Sequence, residues 1–235
     1  MATVPSVLLL HGFAASCART WREPGWFDLL ADAGRSVIGV DLLGHGDAPK
    51  PHDPAAYDDL EGRVLAELPD EPVDAIGFSL GSRVLLTLAA DHPERFRRLV
   101  VAGVGANLFR ADDPERIARA LEGAGAPRAG EYEGGDDDEA DVVAGYFVRM
   151  ATASGNDPQA LAALLRRRVP ALGSAELARL THPVLVVLGD RDFAGPADPL
   201  VEALPDARLV IRRGLDHFAT PKDFGFIDSA LDFLG

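Results

Sequence analysis

The chain holds 235 residues, 47% of them apolar and 26% charged, which suits one soluble globular domain and leaves neither a disordered chain nor a membrane span expected. Its 37 acidic side chains against 23 lysines and arginines give a formal charge of −14, repelling nucleic-acid backbones and anionic membranes at long range. A single cysteine, Cys17, excludes an intrachain disulfide and a cysteine-based metal site, and the first ten residues lack the basic start of a secretion signal, so a cytoplasmic location is expected.

Val7-Leu8-Leu9-Leu10 is a continuous apolar run, as expected of a parallel strand buried on both faces, and His11-Gly12-Phe13 follows its end. A short helix is predicted from Trp26 to Ala33, closed by Gly34. Next comes a second buried strand, Ser36 to Asp41, which leads into the turn-rich Asp41-Leu42-Leu43-Gly44-His45-Gly46. Tyr57 to Leu68 reads as a helix and Val73 to Phe78 as the third strand. Leu80 to Asp91 is a helix that His92-Pro93 stops, and Leu99 to Ala102 is the fourth strand. Strands alternating with helices at this spacing call for a parallel sheet with right-handed crossovers and helices on both faces.

The alternation then stops. From Gly105 to His182 no strand is predicted, only helices over Pro114 to Leu121, Val142 to Thr152 and Pro158 to Val169, with the glycine- and acid-rich stretch Ala124 to Asp141 between them. An insertion this long is functional or disordered. It reads as a helical cap, residues 105–182, on a core made of 1–104 and 183–235, with a mobile, solvated segment from Gly130 to Asp138 whose acid run is a loop rather than a cation site. The sheet resumes at Val184 to Leu188, followed by Gly189-Asp190-Arg191-Asp192. A helix from Asp198 to Ala203 leads to a sixth strand, Ala207 to Ile211, then to Gly214-Leu215-Asp216-His217-Phe218 and a closing helix from Lys222 to Phe233.

The chemistry centres on Gly77-Phe78-Ser79-Leu80-Gly81, at the junction of the third strand and its helix. A serine on such a strand-to-helix turn is held in a strained backbone geometry, at a cost of about 1 to 3 kcal/mol, and projects its oxygen above the sheet edge. Glycines two positions before and after it let strand and helix close together. The helix N-terminus aims unpaired N–H groups at the same place, which favours an anion forming there. Catalytic groups of open parallel sheets collect at the carboxyl ends of the strands. His11-Gly12-Phe13, Ser79, Asp192 and His217 each follow a predicted strand, so all four belong to one rim, in the chain order serine, acid, histidine.

Together, H-G-F after the first strand, D-L-L-G-H-G after the second, G-F-S-L-G at the turn, the late G-D-R-D and the final D-H-F resemble the α/β-hydrolase superfamily over nearly the whole chain except the cap. The resemblance implies a three-layer α/β fold of about six mostly parallel strands with a helical cap insertion. Two additional N-terminal strands common in that family are not expected, because Met1 lies only a few residues before the first strand. It further implies Ser79 as nucleophile, His217 as base and Asp192 as acid, with the backbone N–H groups of Phe13 and Leu80 as oxyanion donors. A serine hydroxyl is a weak nucleophile at neutral pH, so the imidazole must take its proton and later return it to the leaving group. Asp190 competes with Asp192 but sits one residue after the strand, where a turn-stabilising role is common. Asp216 stands before His217 where the family frequently has glycine. His11 is expected to brace the oxyanion loop, and His45, His52, His92 and His182 to be structural or exposed.

The activity implied is hydrolysis of a small-molecule carboxylic ester, thioester or lactone through an acyl-enzyme, with no metal or organic cofactor, by a monomer or homodimer. Arg83 extends the motif to G-F-S-L-G-S-R, which looks like the G-Y-S-L-G-G-R of the menaquinone-pathway synthase of succinyl hydroxycyclohexadiene carboxylate (SHCHC). That enzyme eliminates pyruvate by carbon–carbon cleavage, and its arginine binds a substrate carboxylate. Phe78 and Ser82 depart from its pattern. A hydrolase-fold receptor that binds without turnover is the third possibility. Phe109, Tyr146, Phe147 and Met150 are candidates to line an acyl pocket, and Arg166-Arg167-Arg168 reads as a solvated helix face.

Overall fold

The computed structural model describes residues 4–110, 113–123 and 139–235, with residues 139–141 given by their backbone alone. Six strands, β1 (Val7–Leu10), β2 (Val37–Val40), β3 (Val73–Phe78), β4 (Phe96–Ala102), β5 (Val184–Gly189) and β6 (Ala207–Arg212), form one sheet in the order β2-β1-β3-β4-β5-β6. Every neighbouring pair is parallel. The chain steps from β1 outward to β2, then returns to add β3 on the other flank, so the order reverses between β1 and β3. A crevice opens beyond the carboxyl ends of two strands at such a reversal.

The strand side chains alternate between two apolar layers, because successive Cβ atoms point to opposite faces. On one face Val7, Leu9, Ile76, Val100, Leu185 and Val187 pack against Trp26 and Leu30 of α1 (Trp26–Asp32) and Phe226 and Ala230 of α9 (Phe224–Leu234). On the other, Leu8, Leu10, Ala75, Leu99, Val101 and Val186 meet α2 (Leu60–Ala66), α3 (Leu80–Asp91), α7 (Ser174–Leu177) and α8 (Asp198–Ala203). Between β4 and β5 lie α4 (Pro114–Gly123), α5 (Glu139–Ala153) and α6 (Pro158–Leu165). Their Leu121, Phe147, Ala151, Leu161 and Leu164 join the second apolar layer.

Among the described residues no strand occurs between β4 and β5, and no helix is long and apolar enough to cross a membrane. The solvated segment expected from Gly130 to Asp138 lies outside the described residues. Several expectations are corrected. β2 is an edge strand and only half-buried, because among the described residues no strand pairs with its outer flank. The helix expected from Tyr57 to Leu68 divides into a 3₁₀ turn, Pro54–Tyr57, started by the Asp53 side chain accepting from Ala55 N–H, and the shorter α2. A π-helical turn, Ala18–Arg22, was not foreseen. α6 ends at Leu165, so the three arginines follow it rather than line it. Arg167 is buried and makes a two-pronged pair with Glu61 of α2, at 3.0 and 2.8 Å. It is the exception to the solvated face, since a guanidinium fork can be buried when a carboxylate matches it.

At the amino end of the sheet a buried ion pair joins Arg35, just before β2, to Asp74 of β3. Arg35 Nε also donates to the Pro5 carbonyl at 2.9 Å, and its terminal nitrogen to those of Leu234 and Gly235 at 3.3 and 3.2 Å. Asp74 accepts the Arg98 N–H at 3.1 Å.

Candidate active site

Ser79 links β3 to α3 with φ +53° and ψ −113°, a conformation that residues with a β-carbon rarely adopt. The turn is held from both sides. Ser79 N–H donates to the Ala102 carbonyl at 2.8 Å, and Ser82 Oγ donates to the same carbonyl at 2.9 Å while accepting the Ala102 N–H. Close packing explains the flanking glycines. A β-carbon at Gly77 would stand 2.7 Å from the backbone of Gly81 and Ser82, and one at Gly81 would collide with the carbonyls of Leu10 and His11. The end of β1 is therefore pressed against the turn, in the crevice at the strand reversal.

His217 Nε2 lies 3.0 Å from Ser79 Oγ, a contact spanning 138 positions of sequence. Its other nitrogen, Nδ1, is 2.9 and 3.0 Å from the two oxygens of Asp192. Both groups are buried, His217 at 2% and Asp192 at 8% exposure. Asp192 also accepts the Ala194 N–H at 2.8 Å, which steers its carboxylate toward the ring. Asp190 is exposed and accepts the Gly214 N–H at 2.6 Å, tying the start of the loop after β5 to the turn that follows β6. Asp216 accepts the Ala219 N–H at 2.9 Å, a local capping role that accounts for an acid beside His217. Nδ1 bonded to a carboxylate and Nε2 aimed at a hydroxyl is the arrangement that a proton relay needs. The ring can accept the serine proton while the carboxylate balances the imidazolium that results.

Around this relay the surface is aromatic. Phe78, Phe193 and Phe218 flank the His217 ring at centroid distances of 4.9, 4.3 and 5.2 Å. Tyr146 of α5 stacks on Phe218, and Phe147 bridges Phe218 and Phe13 at 5.9 and 5.2 Å. Met150, on the same helix, packs on the apolar layer. Tyr146 and Phe147 thus reach the site through Phe218, whereas Phe109 is 38% exposed. Arg83 is half-buried one turn into α3, and its carbonyl accepts the Thr87 hydroxyl.

Leu80 is the first residue of α3, where a helix leaves its N–H groups without internal acceptors. Phe13 sits on the facing loop, whose backbone two buried histidines hold. His11 Nδ1 lies 2.8 Å from the Gly12 carbonyl, and its Nε2 accepts the Leu42 N–H at 3.0 Å. His45 Nε2 accepts the Ala14 N–H at 3.1 Å, with Nδ1 3.2 Å from the Leu43 carbonyl. Each ring is pinned as a neutral species that donates through Nδ1 and accepts through Nε2. Burial drives the pKa of His11 below its ordinary value and that of His45 well below it, the latter reinforced by His11 and Lys50. Asp41 supports the same loops by accepting from Cys17 and Asp47 N–H at 2.7 and 2.9 Å. Sequence reasoning placed His45 only as structural or exposed and missed Phe193 and Phe218. Among the described residues no cluster of three metal-ligating side chains occurs.

The family model described as the alpha/beta hydrolase fold matches residues 5–125, just over half of the chain. The chain is 33% identical to the pimeloyl-[acyl-carrier protein] methyl ester esterase of Neisseria meningitidis serogroup C, over 91% of its own length and 87% of that protein. The protein of the same name from Nitrosomonas europaea is 30% identical over 88% of this chain and 86% of the relative. Among solved structures, the enol-lactonase from Burkholderia xenovorans is similar in fold, with a TM-score of 0.74 and 22% identity over 98% of this chain and 91% of that one.

Proposed function

The chain belongs to the α/β-hydrolase superfamily, and from that premise we propose that it is a serine esterase working through an acyl-enzyme, with Ser79, His217 and Asp192 as its catalytic residues. The observation that carries this reading is the continuous contact from Ser79 Oγ through both His217 nitrogens to Asp192. Ser79 Oγ attacks the ester carbonyl carbon as its proton passes to His217 Nε2. The N–H groups of Phe13 and Leu80 receive the oxyanion, each worth about 10² to 10³ in rate. Collapse breaks the bond to the alkoxy oxygen, which leaves with the proton held on Nε2. A water then attacks the acyl-serine, gives a proton to the same nitrogen, and releases the acid as Ser79 recovers its proton. The sum is ester plus water to acid plus alcohol, and it requires no metal or organic cofactor.

The esterase names of the two relatives support a carboxylic ester with a small alcohol as the substrate class, and a methyl ester on a carrier-linked acyl chain as the first one to try. Residues 105–182 act in this proposal as a cap. Phe147 and Tyr146 present aromatic surface to an acyl chain, and Met150 extends it. The protein is proposed to work in the cytoplasm as a monomer or homodimer. Fluorophosphonate should label wild type and leave Ser79→Ala unlabelled, and a panel of nitrophenyl and methyl esters should be cleaved by wild type alone. Equal hydrolysis by Ser79→Ala would sink the proposal.

A further inference from the structure

Asn156 stands in the loop between α5 and α6, and its side chain is buried, at 6% exposure. It reaches from the insertion into two loops at the carboxyl end of the sheet. Nδ2 donates to the carbonyls of Ala14 and Ala15 at 2.9 and 2.8 Å, and Oδ1 accepts the Gly46 N–H at 2.9 Å. The partners dictate which way the amide points, because two carbonyls can meet only its NH₂ and a backbone N–H only its oxygen.

Ala14 is the one non-glycine residue besides Ser79 with positive φ among the described residues, at +61°. Such a conformation persists where its surroundings hold it. Both sides of Ala14 are held: His45 Nε2 takes its N–H and Asn156 Nδ2 binds its carbonyl. The residue immediately before it is Phe13, whose N–H is proposed above to receive the oxyanion. We infer that Asn156 is a positioning residue that keeps this strained loop in place, so that the Phe13 N–H is aimed before any charge develops, and that it couples the loop to the insertion. The inference rests on the reading of Phe13 as an oxyanion donor.

The discriminating variant is Asn156→Asp. A carboxylate can still accept the Gly46 N–H but repels the two carbonyls that the NH₂ group now binds. Its kcat for a nitrophenyl ester should fall roughly 10- to 100-fold, the scale of a donor moved out of line, with KM changed by less than about twofold. Affinity for an alkylboronic acid, which forms a tetrahedral adduct on the serine, should fall by the same factor as kcat/KM. Arg167→Gln, which breaks the Glu61 pair on the same insertion, serves as the control for lost stability and should keep wild-type kcat and boronate affinity in the folded fraction. If Asn156→Asp does not fold, Asn156→Ser is read by the same measures. Wild-type kcat and boronate affinity in a folded variant would overturn the inference, as would failure of both variants to fold, which would assign Asn156 to stability. The parallel Ser79→Ala arm separates the two failures. If that variant hydrolyses esters like wild type, the acyl-enzyme reading falls and takes this inference with it. If it is inactive and the Asn156 variants are unaffected, only the positioning role falls.

Discussion

At the amino end of the sheet Arg35 and Asp74 are buried as a charged pair, with further bonds to four backbone groups. At the carboxyl end His11 and His45 are buried just as completely, yet their rings are neutral. Both arrangements answer the same cost, that of taking an ionisable group out of water. One supplies a counter-charge and the other sheds the proton. The difference follows from what stands nearby. The loop after β1, which both histidines pin, meets the Ser79 turn, where a negative charge is proposed to develop, and a permanent charge nearby in a poorly solvated site would interact strongly with it. Neutral rings hold the backbone without adding such a field. The amino end has no reaction to disturb and can use a full ion pair to fasten β2, β3 and the end of α9 together.

This division of labour can be broken by substitution. Ser79→Ala should lower kcat by about 10⁶, with an unchanged urea midpoint, measured by ester hydrolysis and denaturation on the same sample. Asp192→Asn, which keeps the shape but permits the wrong tautomer of His217, should cost about 10⁴ in kcat. At the other end, Asp74→Ala leaves the Arg35 charge buried without its partner and should reduce the free energy of unfolding by about 3 to 5 kcal/mol, while kcat per folded molecule stays at the wild-type value. A loss of kcat in that variant would show that the two ends are not independent. The smallest effect expected concerns acid. Because His11 and His45 have lowered pKa values in the folded state, the unfolded chain binds protons first as the pH falls through about 6.5. Their contribution to stability is complete above that value and is lost below it. His45→Gln, which keeps an acceptor for the Ala14 N–H, should flatten the fall in urea midpoint between about pH 7.5 and pH 5.5.

The two ends also differed in how far the sequence revealed them. Strands β1 and β5 were readable because a strand covered on both faces must be apolar at every position, and all of Val7–Leu10 and Val184–Gly189 are buried. Val37 to Val40 carries the same kind of run, but whether a strand lies at an edge depends on the whole sheet, and β2 proved half-buried. Ser79 announced itself through its flanking glycines, although only Gly77 is required by its near neighbours Gly81 and Ser82, Gly81 being required by the distant end of β1. Asn156 gave no such signal, since its partners lie 110 to 142 positions away and an asparagine after a glycine reads as an ordinary loop residue. Arg167 was hidden by its neighbours: in a run of three arginines only the middle one turns inward to Glu61. Arg35 and Asp74 were not singled out, because an ion pair linking distant strands leaves no pattern in either segment.

Cys17 N–H is fastened to Asp41, and its sulfur packs where a β-carbon on Gly39 of the edge strand would have to be. Burial and the Asp41 charge raise the thiol to a pKa of about 11, so near neutrality it is both protonated and shielded. An aromatic disulfide reagent should therefore react slowly while the packing of Cys17 on Gly39 holds, and its rate should report how often that packing opens. The chain's single cysteine is thus a built-in probe of the contact between this loop and β2, with no label having to be introduced.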